Sequence, residues 1–455
     1  MATAPIHRAV LHDLYRAGIS PVEIVDDVLA RIESADDAGI FLHVEPPGRL
    51  RERARRLPPF DPARYPLWGL PFAIKDNIDL AGVPTTAACP AYAYVPRQSA
   101  TVVERLVAAG ALPIGKTNLD QFATGLVGVR TPHAVPRNAF DPTRVPGGSS
   151  SGSAVAVAMH LVTFSLGTDT AGSGRIPAAL NNIVGLKPSV GLLSGRGVVP
   201  ACRTLDCVSV FAATVADAQT VLDCAAGFDE NDAYSRHITP HEQALERIGV
   251  PRADDLFFFG DIGAASAWQA AVGALPPCGV ETLPIDMSAF FAVARLLYEG
   301  PWVAERRAAV GRFMDEQPHA LHPVTRSILD SASQYTAVDT FNAMYRLADL
   351  RRAAEEVFAP FDALAVPTAP IFPTLADLAA DPIGPNSRLG TYTNFVNLLD
   401  LAAIAVPGPF RADGLPAGLT LIGRAGSDHA LARLAARYFP ATGGFPADRT
   451  AGKES

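Results

Sequence analysis

Two short segments decide the fold of this chain: Pro146-Gly-Gly-Ser149-Ser150-Ser151-Gly-Ser153 and, after an apolar stretch, Gly167-Thr-Asp-Thr170-Ala171-Gly172-Ser173-Gly174-Arg175. Both segments are rich in glycine and serine. Because the residues between them are strongly apolar, the pattern predicts two turns anchored to a buried helix and strand rather than free surface loops. Turns of this composition let backbone N–H groups converge on an anion and leave hydroxyl groups accessible.

A third element, Gly69-Leu-Pro-Phe-Ala-Ile-Lys75-Asp76-Asn77, precedes both turns. Leu70, Phe72 and Ile74 alternate as they would on one face of a strand, and Lys75 stands at the end of that strand. A lone lysine at a strand end is usually a solvated charge. On spacing alone, that interpretation stays open beside a functional one.

Together the three elements resemble the amidase signature family of serine hydrolases. The resemblance rests on G-L-P-F-A-I-K-D-N, G-G-S-S-S-G-S and G-T-D-T-A-G-S-x-R in this order, and on the 24-residue step from Ser149 to Ser173. It extends from about Gly69 to Pro188. It implies an α/β amidase-signature fold, in which helices cover both faces of a central, mixed but mostly parallel β-sheet.

The resemblance also implies a catalytic triad. Ser173 corresponds to the nucleophile, Ser149 to a bridging serine held in a cis conformation after Gly148, and Lys75 to the terminal base. A lysine can act as a base only when it is neutral, and its reference pKa is about 10.4. Burial disfavours the ammonium and lowers this pKa, so the hypothesis requires that Lys75 be shielded from water.

The same resemblance implies an oxyanion hole made by the backbone N–H groups of Thr170, Ala171, Gly172 and Ser173. Small residues let several N–H groups point at one oxyanion. The chain departs from the general family pattern where Ala171 replaces a usual glycine and Gly174 replaces a usual branched residue. Since alanine still supplies an N–H group, these changes affect the width of the pocket and not the chemistry.

A substrate pocket is suggested by Leu297-Tyr298-Glu-Gly-Pro301-Trp302-Val-Ala-Glu305-Arg306-Arg307. On spacing alone, an ordinary helix that starts at Gly300-Pro301 and carries a solvated arginine pair stays open. With G-T-Y-T-N-F-V-N-L-L-D-L at 390–401, the segment resembles the allophanate hydrolase branch of the family. In that branch Tyr298 and Arg306 would grip the substrate carboxylate, which a planar guanidinium pairs with bidentately. The backbone of Gly125 would also line the pocket.

The resemblance therefore implies an amidohydrolase that acts on a small anionic linear amide, allophanate, without a metal or cofactor. It would release ammonia and leave N-carboxycarbamate. One alternative is another small-amide amidase of the family, such as a carboxybiuret-type hydrolase or a glutaminase-type subunit of an amidotransferase. A non-catalytic binding protein that kept the fold is a third possibility, which the presence of all three triad side chains disfavours.

The domain organisation follows from the same patterns. We expect one domain over residues 1–440, with a core at about 65–215, a variable outer region at about 226–350, and a flexible tail at 441–455. The apolar periodicity predicts strands at 67–74, 111–114 and 161–166 and helices at 101–109 and 153–159. A further C-terminal domain, which many family members carry, is expected to be absent because the chain ends at Ser455.

Composition excludes several classes of protein. The 455 residues are 49% hydrophobic and only 18% charged, which excludes a disordered chain. The net charge of −8 argues against a nucleic-acid partner. Five scattered cysteines form no C-x-x-C pair, and neither a secretory signal nor a run of 18 uncharged apolar residues occurs. We therefore expect a cytoplasmic enzyme with no membrane partner, and by analogy with the family a homodimer.

Two further motifs are interpreted as coincidental. Gly110-Ala-Leu-Pro-Ile-Gly115-Lys116-Thr117 fits the phosphate-binding pattern G-x-x-x-x-G-K-[ST], but its apolar centre is itself a strand and a helix precedes it. His237-Ile-Thr-Pro-His241 has the spacing of metal ligands, but Pro240 breaks the helix that would bring both imidazoles to one face. We expect loop histidines there.

Overall fold

The computed structural model describes residues 6–441. The helices within this range are α1 (Arg8–Arg16), α2 (Pro21–Ala35), α3 (Pro47–Arg55), α4 (Thr101–Ala108), α5 (Ser151–Ala158), α6 (Ile176–Leu180), α7 (Val215–Ala225), α8 (Ile262–Gly273), α9 (Ser288–Glu299), α10 (Trp302–Glu316), α11 (Pro323–Asp330), α12 (Ala337–Phe358), α13 (Leu375–Ala380), α14 (Gly384–Leu389), α15 (Phe395–Leu398) and α16 (Asp428–Ala441). Short 3₁₀ helices lie at Pro90–Tyr92, Gln121–Ala123, Ala253–Asp255, Pro276–Cys278, Pro318–Ala320, Ser331–Gln334 and Gly390–Tyr392.

The strands form one large mixed sheet. They are β1 (Phe41–Val44), β2 (Pro71–Lys75), β3 (Leu112–Thr117), β4 (Phe164–Asp169), β5 (Val184–Lys187), β6 (Cys207–Ala212), β7 (Arg247–Pro251), β8 (Glu281–Ile285), β9 (Ala363–Pro367), β10 (Leu401–Pro407) and β11 (Gly418–Arg424). Their order across the sheet is β1-β3-β2-β4-β6-β5-β10-β11-β9-β7-β8. The predicted α/β class with a mixed central sheet is confirmed.

The expectation that this sheet is mostly parallel is wrong. Among the described residues, six strand pairs are antiparallel and four are parallel. The parallel pairs are β2–β3, β2–β4, β7–β8 and β7–β9. The β–α–β pattern that led to the expectation covers β2, β3 and β4 alone. It says nothing about β5, β6, β10 and β11, which meet their neighbours antiparallel.

The centre of the sheet is buried on both faces. Every residue of β2, β4, β6 and β10 is buried, as expected for strands covered by helices on both sides. The rings of Phe72 and Phe164 stack 4.9 Å apart between neighbouring strands β2 and β4. This dry interior surrounds any polar side chain that the strands carry.

The parallel strands β2, β3 and β4 have their carboxyl ends on the same side of the sheet. Lys75, the last residue of β2, pairs with Thr117, the last of β3, and Ile74 pairs with Leu166 of β4. The chain segments that leave β2, β3 and β4 therefore emerge together. In α/β proteins the carboxyl ends of parallel strands are where ligand sites form.

Several local predictions need adjustment. The strand predicted at 67–74 begins only at Pro71, and the strand predicted at 161–166 is Phe164–Asp169. Both strands therefore begin and end later in the sequence than predicted. Within the predicted outer region, β7 and β8 form one edge of the main sheet. Of the predicted tail at 441–455, all but the residue that ends α16 lies outside the described residues. None of the helices between residues 6 and 441 combines the length and apolarity that a membrane span needs.

Candidate active site

Lys75 is completely buried at the carboxyl end of β2. Its Nζ donates hydrogen bonds to Ser149 Oγ and to Thr168 Oγ1, both at 2.7 Å. Burial lowers the pKa of Lys75 from 10.5 to about 7, although the more distant carboxylates of Asp120, Asp206 and Asp169 oppose the change. The amine can therefore be neutral near neutral pH, as a general base requires.

Ser149 is fixed by the turn before α5. The peptide bond between Gly148 and Ser149 is cis, as the resemblance implied. The Ser149 carbonyl accepts a hydrogen bond from the Asp120 N–H at 3.0 Å, and the Gly148 N–H donates to the Leu126 carbonyl at 2.8 Å. A side chain at Gly148 would overlap the Asp120 carboxylate, so only glycine fits there.

Ser173 follows β4 and is 2% exposed. Its hydroxyl donates a long hydrogen bond of 3.4 Å to the carbonyl of Gly125. In the described part of the chain no hydrogen bond joins Ser173 to Ser149. The Lys75–Ser149 half of the predicted relay is thus formed, and the other half requires Ser173 to turn its hydroxyl from Gly125 towards Ser149.

The loop around Ser173 is organised by a buried ion pair. Asp169 Oδ2 lies 2.8 Å from Arg175 Nε, and Asp169 Oδ1 accepts a hydrogen bond from the Gly172 N–H at 2.9 Å. Burial alone would raise the pKa of Asp169, but the Arg175 charge holds it below its usual range. The prediction that the Gly172 N–H belongs to the oxyanion hole therefore needs correction, because this N–H already donates to Asp169.

The N–H groups of Thr170, Ala171 and Ser173 are the remaining candidates for the oxyanion hole. Among the described residues none of the three has a hydrogen-bond acceptor, whereas the Gly174 N–H also donates to Asp169, at 3.0 Å. Three N–H groups beside one hydroxyl can stabilise the negative charge that develops on a carbonyl oxygen during attack.

Arg306 on α10 lies at the opposite end of the site, beside Tyr298. It is 2% exposed, its Nη2 donates to the Tyr298 hydroxyl at 3.3 Å, and its guanidinium lies 5.3 Å from the centre of the Tyr298 ring. Its Nη1 donates to Thr124 Oγ1 at 3.3 Å. Within residues 6–441 no carboxylate forms an ion pair with Arg306, and its Nε has no hydrogen-bond partner. The solvated arginine pair that spacing alone left open is therefore excluded for Arg306.

The segment that follows β3 joins the two ends of the site. The Gly125 carbonyl accepts a hydrogen bond from the Ser173 hydroxyl. The hydroxyl of the preceding residue, Thr124, accepts a hydrogen bond from the Arg306 guanidinium. Consecutive Cα atoms are about 3.8 Å apart, so the nucleophile candidate and the buried cation contact directly adjacent residues. The site residues predicted from sequence, from Lys75 to Arg306, are thus brought together.

Sequence reasoning missed four residues of this site: Thr168, Asp206, Thr124 and Asp120. Thr168 is the second partner of Lys75, and Asp206 accepts a hydrogen bond from the Thr170 hydroxyl. Thr168 lies inside the glycine-rich motif at 167–175, and the parallel pairing of β2 with β4 would have placed it beside Lys75. Asp206 carries no comparable signal, since 36 residues separate it from Thr170.

The two motifs interpreted as coincidental are placed as follows. Lys116 lies within β3, fully buried, and its Nζ forms an ion pair with Asp76 at 2.9 Å. His237 and His241 lie in an irregular segment. In the described range no group of three or more His, Cys, Asp or Glu side chains is arranged to hold a metal.

The fold and the site are those expected of an amidase, and comparison with known proteins agrees with this class. The Amidase family model matches residues 23–432, and the chain belongs to this family. It is 48% identical over 379 residues to a urea amidolyase of Saccharomyces cerevisiae, an alignment that covers 82% of this chain and 21% of the relative. This chain thus spans about a fifth of the length of that protein.

Two other comparisons cover a larger share of the matched protein. The structure of selenomethionine-substituted Kluyveromyces lactis allophanate hydrolase superposes with a TM-score of 0.89 at 42% identity, covering 95% of this chain and 72% of that one. A glutamyl-tRNA(Gln) amidotransferase subunit of Chloroflexus aurantiacus is 36% identical over 471 residues, covering 92% of this chain and 93% of that protein.

Proposed function

We propose that this chain is an allophanate hydrolase that uses Ser173, Ser149 and Lys75 as its catalytic triad. The observation that carries the proposal is the buried Arg306, which has no carboxylate partner in the described structure and lies next to the segment that holds Ser173. The similarity to urea amidolyase and to allophanate hydrolase supports the same choice of substrate.

In the first half-reaction Ser173 attacks the terminal amide carbonyl. Its proton passes to Ser149 while the Ser149 proton passes to neutral Lys75, which becomes an ammonium. The negative charge on the carbonyl oxygen is stabilised by the N–H groups of Thr170, Ala171 and Ser173, each worth about 10²–10³ in rate in comparable sites. The leaving nitrogen then takes a proton back through Ser149, and ammonia departs.

In the second half-reaction water attacks the acyl-enzyme. The same relay removes a proton from the water and returns it to Ser173 when the ester bond breaks. The product is N-carboxycarbamate, which carries one more carboxylate than the substrate. Because Ser173 is almost completely buried, only water that enters with or after the substrate reaches the ester.

Arg306 and Tyr298 bind the carboxylate of allophanate in this proposal. A guanidinium presents parallel donors to a carboxylate, and the unpaired Nε of Arg306 is one of them. The backbone of Gly125 lies between this cation and Ser173. A neutral amide leaves the buried charge without its partner and is bound more weakly.

The test is ammonia release from allophanate by three variants. Ser173→Ala should abolish turnover. Arg306→Met should lower kcat/KM by about 10²-fold or more, mostly through KM, because losing one partner of a buried charge pair costs about 3 kcal/mol. Arg312→Met is the matched control, since Arg312 lies on the same helix with its side chain 93% exposed. Unchanged turnover in Arg306→Met would refute the carboxylate assignment.

A glutaminase-type amidase is the second candidate. The observation in its favour is the 36% identity to the glutamyl-tRNA(Gln) amidotransferase subunit over nearly all of that protein's length. A substrate panel of allophanate, glutamine, biuret and neutral amides separates the two. Preference for glutamine or for a neutral amide would favour this candidate.

We also propose that the chain works as a homodimer in the cytoplasm. Val338, Phe341 and Tyr345, which are more than half exposed, share one face of α12 and could pack against a second copy. The five cysteines are free of disulfides, which suits a reducing compartment. Light scattering of the purified protein tests the dimer, and Phe341→Asp should weaken it.

A further inference from the structure

A second arginine is buried beside the segment that joins the two ends of the site. Arg130 is 2% exposed, its Nη1 donates to the Thr124 carbonyl at 3.0 Å, and its Nη2 donates to the Pro382 carbonyl at 3.0 Å. Like Arg306, it has no carboxylate ion pair among residues 6–441, and its Nε has no hydrogen-bond partner. Burying a charge without a charged partner is costly.

Arg130 and Arg306 hold the same residue from two sides. Arg130 donates to the carbonyl of Thr124, and Arg306 donates to its hydroxyl. The Cδ of Arg130 also packs against Gly125, where a side chain would approach it to 3.2 Å. Thr124 is therefore held by two guanidinium groups, and the carbonyl of the next residue, Gly125, accepts a hydrogen bond from Ser173.

The Asp120 carboxylate lies near Arg130 and stabilises its charge, but it forms no ion pair with the guanidinium within residues 6–441. The Asp120 carboxylate accepts hydrogen bonds from the N–H groups of Arg130 and Gly128, both at 2.9 Å, and not from the guanidinium. Burial lowers the pKa of Arg130, the charge of Asp120 opposes this change, and the smaller effect of the Arg306 charge lowers the pKa further. By contrast Arg175, the buried arginine that braces the Ser173 loop, is paired directly with Asp169.

We propose that Arg130 is a positioning and specificity-determining residue of this site. It fixes Thr124, the neighbour of the Gly125 that accepts from the nucleophile, and it adds a second positive charge close to Arg306. An anionic acyl group that binds between these two arginines and the nucleophile is attracted by both positive charges, whereas a neutral one is not. The inference rests on the proposed function and extends it to the preference for anionic over neutral amides.

The test compares an anion with its neutral counterpart. A small neutral fluorophosphonate labels Ser173, and malonamate and malonamide are measured as protecting ligands. In the unmodified protein malonamate should protect at lower concentration. In Arg130→Met the ratio of the two inhibition constants should fall about tenfold, and Arg130→Lys, which restores the charge, should recover part of it. Arg312→Met should leave the ratio unchanged.

Allophanate kinetics give the second measurement. Arg130→Met should raise KM more than it lowers kcat, because Arg130 does not touch the reacting atoms. Arg130→Gln keeps N–H donors for the two carbonyls and serves if Arg130→Met does not fold. If Arg130→Met or Arg130→Gln is still labelled at Ser173, and the ratio of the inhibition constants of malonamide and malonamate is unchanged, this inference is overturned. The proposed function would still stand. Failure of malonamate to protect the unmodified protein overturns both.

Discussion

The reactivity of Ser173 should depend on pH through the neutral fraction of Lys75. Lowering the pKa of Lys75 from 10.5 to about 7 disfavours its ammonium form by about 5 kcal/mol relative to an exposed lysine. The base works only when neutral, so reactivity is present above this pKa and is lost as the pH falls through it. With a pKa of about 7, about half of Lys75 is neutral at pH 7, about a tenth at pH 6 and about a hundredth at pH 5.

The assay for this prediction is the rate of Ser173 labelling by a small fluorophosphonate between pH 5 and pH 9. This probe carries no titrating group, so the curve reports the protein alone. The rate should fall about tenfold per pH unit below pH 7 and reach a plateau above pH 8. Lys75→Arg, which stays charged, should label slowly at every pH, and Ser173→Ala measures labelling elsewhere. A curve that is flat from pH 5 to pH 8, or one that still rises about tenfold per pH unit at pH 9, would refute a relay through a lysine that titrates near pH 7.

Three further predictions concern the groups around this base. Ser149→Ala should lower kcat for amide hydrolysis by about 10²–10⁴-fold, because it removes the proton relay. The melting temperature should change little, because only one hydroxyl group is lost. Thr168→Val removes one of the two hydrogen-bond acceptors of Lys75, so the midpoint of the labelling curve should move to lower pH. Asp169→Asn should leave Arg175 as an uncompensated buried charge and destabilise the protein by about 3–5 kcal/mol, as followed by thermal melting; an unchanged melting temperature would contradict this role of Asp169.

Three local motifs and their resemblance to the amidase signature family were sufficient to predict that Lys75, Ser149 and Ser173 belong to one site. Lys75 ends a strand whose apolar neighbours alternate, and Ser149 and Ser173 lie in glycine-rich turns at the ends of buried elements. These are short-range features, so the sequence carries them directly. The capping of α2 by Ser20, with Pro21 in its first turn, is a short-range feature of the same kind.

Other features depend on contacts between distant parts of the chain. Arg306 and Thr124 are 182 residues apart, and no periodicity places one beside the other. The direction in which β5 meets β6 and β10 is likewise set by the path of the chain between them, which is why the antiparallel half of the sheet was not anticipated. The Gly172 N–H was assigned wrongly because its acceptor, Asp169, becomes visible only when the loop closes on itself.

In the proposed mechanism one amine serves as both base and acid, and the surroundings of Lys75 suit both roles. Burial alone would lower the pKa of Lys75 further, which disfavours the ammonium that forms between the proposed attack of Ser173 and the departure of ammonia. Asp120, Asp206 and Asp169 each raise its pKa, yet within the described residues none of them forms an ion pair with it. A carboxylate in direct contact would instead keep the lysine permanently charged. Negative charge at a distance therefore leaves the pKa near neutrality, where giving and taking a proton cost similar amounts of free energy.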